Sequence, residues 1–594
     1  MAVVSLALVG LAIPQAASAT DNCVVDLFTD DAGSGSDGDR TLRYCINNIN
    51  PDGVITFDTQ VEQTILLDSS LLLSTSSQTQ QGVLIDGQEL ITLSPAPDTF
   101  IRLLNSTDVM TIDGVNFIGA QAFSTISGDG AAIQSSEYLT IRNSHFEDNS
   151  ADFGAAVYSS GQVFIENSSF TDNRGDYGAV YSELSVDITG SLFEGNQASD
   201  TGGAIYAQFD VEVADSVFRS NSADAEGGAI YAESDVEVAD SVFRLNSAVG
   251  DGGAIWAFSD VETIRTSFEI NSSADDGGAI YTDSNDVDIF ESFFYRNTAG
   301  DDGGAIYSDE HTQVINTTFA LNSAASEGGA IYSYERSNDP EDDFDNGAIL
   351  FSTFFDNSAR TTGGSINWGN AELSLLGNLF LATDETSQLD LSGEGSPSVF
   401  DAGGNVSSGA DEGLLIATSS VNRFSVANLE TTFPEEATVG LTPFLPLSPL
   451  DSIPTVVTPE DLLNYISGSR GQTDFGVSLI DQQGNPREFA NFYPGAEYLA
   501  DGSEVAFPKW GAISDNFAIS NQGDFSGAYL GGVSNQSADI EFYGTNDGEQ
   551  QGLAPREAFS DFGAIAILEQ GQSNWQTVRV TPDQCELYVD GEQI

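Results

Sequence analysis

The chain has 594 residues and is strongly acidic: 17 Lys and Arg against 91 Asp and Glu give a formal net charge of −74 at pH 7. That balance excludes a nucleic-acid binder or a protein of anionic membrane surfaces, because phosphates would be repelled. It suits a soluble protein in salty surroundings, or one that holds divalent cations, and the 60 Gly, 37 Phe and 18 Tyr supply both tight turns and a core.

Residues 2–13 (AVVSLALVGLAI) are apolar and lead through Pro14 to Ala17-Ser18-Ala19, a small-residue cleavage pattern. These features predict a secretory signal peptide over 1–19 and a mature chain beginning near Thr20. The apolar stretch is too short to span a bilayer. No lipobox surrounds Cys23, and no other segment reads as transmembrane, so the chain is not expected to be an integral membrane protein. Residues 20–56 are expected to form an N-terminal cap with the first strands. There Cys23 and Cys45 either staple the cap or remain two buried thiols, and Cys585 is left over. Residues 40–50 (RTLRYCINNIN) form a short amphipathic segment suited to covering the open end of a β-structure. Irregular strands are expected at Ile55-Thr56-Phe57, Val83-Leu84-Ile85-Asp86 and Met110-Thr111-Ile112-Asp113.

From about residue 130 to 370 the sequence repeats. Gly-Gly-Ala-Ile recurs with its Ala at 204, 229, 254, 279, 305 and 330, and each copy is followed by Phe-x-x-Asn. The Phe of that second motif falls at 146, 170, 193, 218, 243, 268, 294, 319 and 354. The last interval is longer by about ten residues, which places an acidic insertion with Asp342-Asp343 around 337–346. Inside one coil three short runs have β character: Ala229-Ile230-Tyr231-Ala232, Val236-Glu237-Val238 and Ser241-Val242-Phe243. In the second run Val236 and Val238 share one face and Glu237 the other, as a period of two requires. A coil of about 25 residues has no room for helices. One such coil cannot bury its apolar face alone, so neighbours must stack, giving a parallel β-helix over 57–425. The Gly-Gly step lets the backbone turn with φ > 0, and Asn149, Asn221 and Asn246 are expected in amide ladders along the axis. Residues 426–594 are less repetitive. Trp510, Trp575 and the alternation Val578-Arg579-Val580 predict β structure towards the end.

The pairing of Gly-Gly-Ala-Ile with Phe-x-x-Asn over roughly 130–370 resembles the passenger domains of chlamydial polymorphic membrane proteins, which are autotransporter-type surface adhesins. Those proteins end in a membrane β-barrel, and the polar last stretch of this chain does not resemble one. The ends resemble a second group, bacterial β-helix surface proteins that open with a C-S-L-R-E-A-I-type motif and close with a choice-of-anchor region. Thr41-Leu42-Arg43-Tyr44-Cys45-Ile46 matches the opening, and Leu445-Pro446-Leu447-Ser448-Pro449-Leu450 the closing part. These resemblances imply a right-handed solenoid of the pectin-lyase type at the cell surface, outer-membrane associated or secreted. Neither resemblance supplies a catalytic residue.

Candidate chemistry lies in acidic columns. Asp200, Glu226, Asp251, Asp275 with Asp276, Asp301 with Asp302, and Glu327 precede successive Gly-Gly steps, and stacking at about 4.8 Å would line them up. A second set holds Asp210, Asp235, Asp260 and Asp286 beside Glu212, Glu237, Glu262 and Asp288. Like charges at that spacing repel by roughly 1 kcal/mol per pair even in water. Calcium would relieve this through hard oxygen ligands, with Asp251, Asp276 and Asp302 as its candidate ligands. A hydrated acidic face in salty medium is the plainer reading. His145 and His311, the only histidines, read as ordinary coil residues. A polysaccharide lyase or glycoside hydrolase is the rival function. Such enzymes need a singular carboxylate pair or a basic residue beside carboxylates, whereas these acids are periodic, and so are Arg219 and Arg244. The sequence therefore predicts an all-β, non-enzymatic adhesin or binding stalk whose partner is a host or neighbouring cell surface, or a glycan.

Overall fold

The structure is a computed structural model. It describes residues 22–407 apart from 32–37, 76–81, 123–127, 285, 311, 335–346, 370–371, 382–387, 392–397 and 404, together with Ser420–Val421 and four strands between 563 and 593. The expected signal peptide over 1–19, His311, the insertion, Trp510 and Trp575 lie outside the described residues.

The chain winds into a parallel β-solenoid of about 12 coils, each of about 25 residues. One coil shows why. After Gly227-Gly228 come strand Ile230–Ala232, a turn, strand Val236–Ala239, a sharp corner at Asp240, strand Val242–Arg244, a second corner at Leu245, and a two-residue strand Ser247–Ala248. Asp240 and Leu245 both adopt positive φ (50° and 58°), so the chain turns there without a loop. The sequence predicts three strands per coil, and the structure has four. The Ser-Ala strand is too short to show alternation, yet it stacks in register from coil to coil, as Ser222↔Ser247↔Ser272 do.

Every pairing along the stack is parallel and nearly every repeat position meets its counterpart, for example Ile205↔Ile230↔Ile255 and Phe218↔Phe243↔Phe268. Register survives the insertion: Val314 pairs with Ile349 and Phe319 with Phe354. The two glycines divide the work of the turn. Gly227 has φ +65°, a left-handed conformation costly for a side chain. Gly228 lies so close to the next coil that a Cβ would sit 2.2 Å from the Gly253 carbonyl oxygen.

The interior is columnar. Phenylalanine rings from Phe117 to Phe380 stack with centroids 4.6–5.1 Å apart, close to the coil spacing. At the second corner, Asn221 Nδ2 donates to Asn246 Oδ1 (3.0 Å) and to the Phe193 carbonyl (3.0 Å), and its backbone N–H donates to the same Asn246 oxygen. This ladder runs from Asn149 to Asn357, fulfilling the expectation for Asn149, Asn221 and Asn246. A second ladder, unforeseen, occupies the first corner. The Ser191 N–H donates to Ser216 Oγ and the Ser216 N–H to Ser241 Oγ, both at 3.0 Å, while each hydroxyl donates to the carbonyl two residues before it. The two ladders thus pair the buried polar groups of the residues that form them.

The N-terminal end is closed as the amphipathic segment predicts. Helix Leu42–Asn48 is capped by Thr41, whose hydroxyl accepts from the Tyr44 N–H, and it buries Leu42, Cys45 and Ile46 over the first coil. The Arg43 guanidinium ties it down through Asp30 (2.6 Å) and the carbonyl oxygens of Ser69 and Ser70. Of the two states open to the cysteines, Cys23 and Cys45 form the disulfide, a closure that contributes roughly 3 kcal/mol by restricting the unfolded chain. Towards the C-terminus, Gly563–Ile567, Gln576–Val580, Cys585–Val589 and Glu592–Gln593 form a four-stranded antiparallel sheet.

Candidate functional site: the acidic columns

From Glu226 to Glu327 the acids directly before the Gly-Gly step stack as the repeat predicts, whereas Asp200 falls one place earlier, in register with Ala225, and Thr201 takes its slot. Asp251 Oδ1 accepts from the Asp276 N–H (2.9 Å), Asp276 Oδ1 from the Asp302 N–H (2.8 Å), and Asp302 Oδ1 from the Glu327 N–H (2.8 Å). One oxygen per carboxylate is thereby committed to the ladder, and the Asp302 carboxylate is held by the Ser326 side chain as well. Of the predicted ligands, Asp276 and Asp302 come together with Asp301, a member of the predicted column but not of the predicted ligand set, with one oxygen from each within 4.8 Å of the others. Asp251 is the next rung and stands outside that group of three. The doubled acids Asp275-Asp276 and Asp301-Asp302 were the signal for the third member.

Electrostatics set this column apart. Burial is the largest influence on Asp276 and pushes its carboxyl up to about 7, with Asp251, Asp302 and Asp301 adding repulsion and the Asp302 N–H acting against them. Burial also raises Asp251 and Asp302, again opposed by the N–H each accepts. Three adjacent, half-buried carboxylates are poor neighbours for one another. They can share protons, or they can share a hard cation that accepts carboxylate oxygens and completes its shell with water.

The second acidic set lies on the outward face of the Val-x-Val strand. Asp187, Glu212, Glu237, Glu262 and Asp288 meet in register, one per coil. Asp260 and Asp286 donate their N–H groups to the carboxylates of Asp235 and Asp260, at 3.3 and 3.2 Å. Glu262 is pushed up to about 7, first by burial and then by Asp288, Glu237 and Asp260. Beside this set the turn carries exposed apolar side chains, Leu184, Phe209 and Phe258, with about half the surface of each phenylalanine open to solvent.

Between the two acidic sets runs an outward aromatic column from Tyr158 to Tyr332. It is interrupted only by Trp256, which lies 4.3 Å from Tyr231 with the rings parallel. Ring faces are spent on one another, so they offer a sugar no stacking platform; edges and hydroxyls remain. Tyr158 and Tyr206 donate to Glu183 and Glu233, and burial raises both hydroxyls well above the usual tyrosine range.

The basic residues are embedded in ladders. Arg219 pairs with Glu194, and Arg244 lies 3.8 Å from Glu269, so the adjacent arginines are flanked by an acid on each side. Arg265 is buried at the first corner and holds Asp240 by two hydrogen bonds, 2.7 and 2.6 Å. His145 hydrogen-bonds the Ser169 hydroxyl (2.7 Å) and Glu147 (3.3 Å).

The right handed beta helix region family model matches residues 81–260, and the Chlamydia polymorphic membrane protein repeat model matches 265–283, 291–309 and 316–334. Each of the three shorter matches spans one Phe-x-x-Asn and the Gly-Gly-Ala-Ile that follows it. Columns, register and matches together define a right-handed parallel β-helix protein. Its repeats resemble those of chlamydial polymorphic membrane proteins, which points to a surface-exposed, passenger-like molecule. Neither curated proteins nor solved structures gave a significant match. Among the described residues no helix is long and apolar enough to cross a membrane.

Proposed function

We propose that this chain is an exported adhesin or binding stalk, at the cell surface or released, that engages a host cell, a neighbouring cell or a glycan through its repeating faces without chemical turnover. The observation that carries this reading is the register of the acidic rows. The five acids from Asp187 to Asp288 form one continuous face, beside exposed Phe209 and Phe258. A face that repeats every coil suits a partner that also repeats, because weak contacts made together reinforce one another. Calcium is the natural third component: bridging Asp276, Asp301 and Asp302 would remove repulsion and present a cation to hydroxyl or carboxylate groups of a glycan.

The competing reading is a polysaccharide lyase or glycoside hydrolase on the same fold. Purified protein incubated with polyuronates, sulfated glycans and neutral polysaccharides, with and without calcium, separates the two. Retention on one glycan or cell surface without release of unsaturated products or reducing ends is the expected result. Release above a buffer blank on any substrate would overturn the binding reading.

A further inference from the structure

One coil departs from the repeat where its neighbours agree. The outward residue of the first strand is tyrosine in register from Tyr158 to Tyr332, except at Trp256. Two residues further on, at the start of the following turn, the residues in register are Glu183, Gln208, Glu233, Phe258 and Asp283. Both exceptions, Trp256 and Phe258, fall in the same coil. The second column serves the first. Tyr158 and Tyr206 donate to Glu183 and Glu233 of the next coil, and Tyr181 accepts from Gln208 at 2.9 Å. At the corresponding place in its next coil Tyr231 meets Phe258. Its hydroxyl therefore has no partner among the described residues and lies open to solvent, and so does the Trp256 Nε1–H one coil later. The Trp256 ring lies 4.3 Å from Tyr231 but 6.2 Å from Tyr281, so the column is loosest beside it. Phe258 is half exposed and, unlike the tyrosines, stacks on no other ring among the described residues.

We propose that this break in the column is a subsite for one pyranose ring of an uncharged glycan. The subsite rests on the binding reading above and gives it a ligand class and a place. Three features of the break select the ligand. The two free donors, Tyr231 O–H and Trp256 N–H, call for acceptor oxygens, which an ammonium group lacks. The exposed Glu233 carboxylate calls for hydroxyl donors. Glu233, Glu226 and Asp283 also set Tyr231 in a negative field, which repels uronate and sulfate groups. Finally, the unspent faces of Phe258 offer an apolar surface for the C–H face of a ring. A neutral sugar, with hydroxyls on its edge and C–H bonds on its face, meets all three demands. Elsewhere in the column Tyr158, Tyr181 and Tyr206 have their hydroxyls paired and their ring faces covered, so the change of two residues in one coil turns a structural stripe into a local binding site.

The test is affinity electrophoresis of the full chain through gels containing neutral glucan, mannan or galactan, beside Trp256→Tyr, Phe258→Glu and Leu245→Ser. The first two install residues that other coils already carry, so the solenoid tolerates them, and Phe258→Glu gives Tyr231 the acceptor that Tyr158 and Tyr206 have. The third trims an exposed side chain at the second corner and serves as the control. Retardation of the parent by at least one of the three polysaccharides is expected, weakened roughly tenfold by Trp256→Tyr and by Phe258→Glu and unchanged by Leu245→Ser. The retarding sugar should also shift the tryptophan emission of the parent, and an unshifted emission counts against the subsite. Equal retardation of the parent, Trp256→Tyr and Phe258→Glu would place the sugar elsewhere on the solenoid and overturn the subsite while leaving the stalk reading intact. A parent retarded by none of the three would overturn it too; adherence of that parent to cells or to a charged glycan would show that the stalk reading survives without it.

Discussion

The interior and the exterior of this solenoid are built by the same repetition, with opposite energetic sign. Inside, stacking like on like is favourable: phenylalanine faces phenylalanine and each asparagine amide donates to the next. Outside, the same register sets carboxylate above carboxylate. An in-register repeat copies whatever it is given, so the inner columns strengthen with each coil while the outer ones accumulate strain. The strain is relieved locally, by committing one oxygen to a backbone N–H and by raising proton affinity.

That contrast can be broken from the inside first. Phe243→Ala removes a fully buried ring from the middle of the stack and should cost about 4 kcal/mol in denaturant unfolding; a loss below 1 kcal/mol would mean that the column is not the core. Asn246→Ala deprives Asn221 of the acceptor for both its N–H and its amide and leaves the Phe218 carbonyl without its donor. The donation of its amide to Asn271 goes as well, and at about 1 kcal/mol for each of the four lost bonds a loss of about 4 kcal/mol is expected.

The outer columns are probed by pH. Glu262 and Asp276 are raised to about 7 in the folded chain, from ordinary values of 4.5 and 3.8. A raised carboxyl favours folding below its unfolded value, and that contribution is lost as pH rises through about 7. The melting temperature at low salt should therefore be higher at pH 5 than at pH 8, and Glu262→Gln should narrow the gap. A melt that rises between pH 5 and 8 would contradict this account. The smallest expected effect is that of Asp276→Asn. It should raise the melting temperature by a degree or two at pH 8 without calcium and abolish any stabilisation that calcium gives the parent chain. If calcium stabilises both proteins equally, the ion sits elsewhere.

Much of this was legible because a solenoid turns sequence period directly into spatial period. The spacing of Phe243 and Phe268 already states that they stack, and the same holds for Asn221 and Asn246. What could not be read depends on local turns. Ser247–Ala248 is a strand only because its neighbours are, and two residues carry no alternation. The serine ladder escaped notice because serine at a corner looks like any turn residue. The acidic column around Asp276 was readable, Asp301 included, but that Asp301 and not Asp251 completes the group with Asp276 and Asp302 was not: which carboxylates come within reach is settled by the turn before the Gly-Gly step. The cysteine pair stayed open until the fold placed the capping helix beside the first strand.

The asparagine ladder also bears on ancestry. Each rung gives its backbone N–H and one amide hydrogen to the asparagine ahead, its other amide hydrogen to a carbonyl behind, and accepts from the asparagine behind, so a coil is a plug and a socket of fixed pattern. A DNA segment encoding one coil could be copied in frame and inserted between two others with every bond restored. The ten residues from Asp210 to Arg219 recur without change from Asp235 to Arg244, the trace such a copying event leaves. The length of the molecule is therefore a heritable quantity that changes in whole coils, about 4.8 Å of reach at a time.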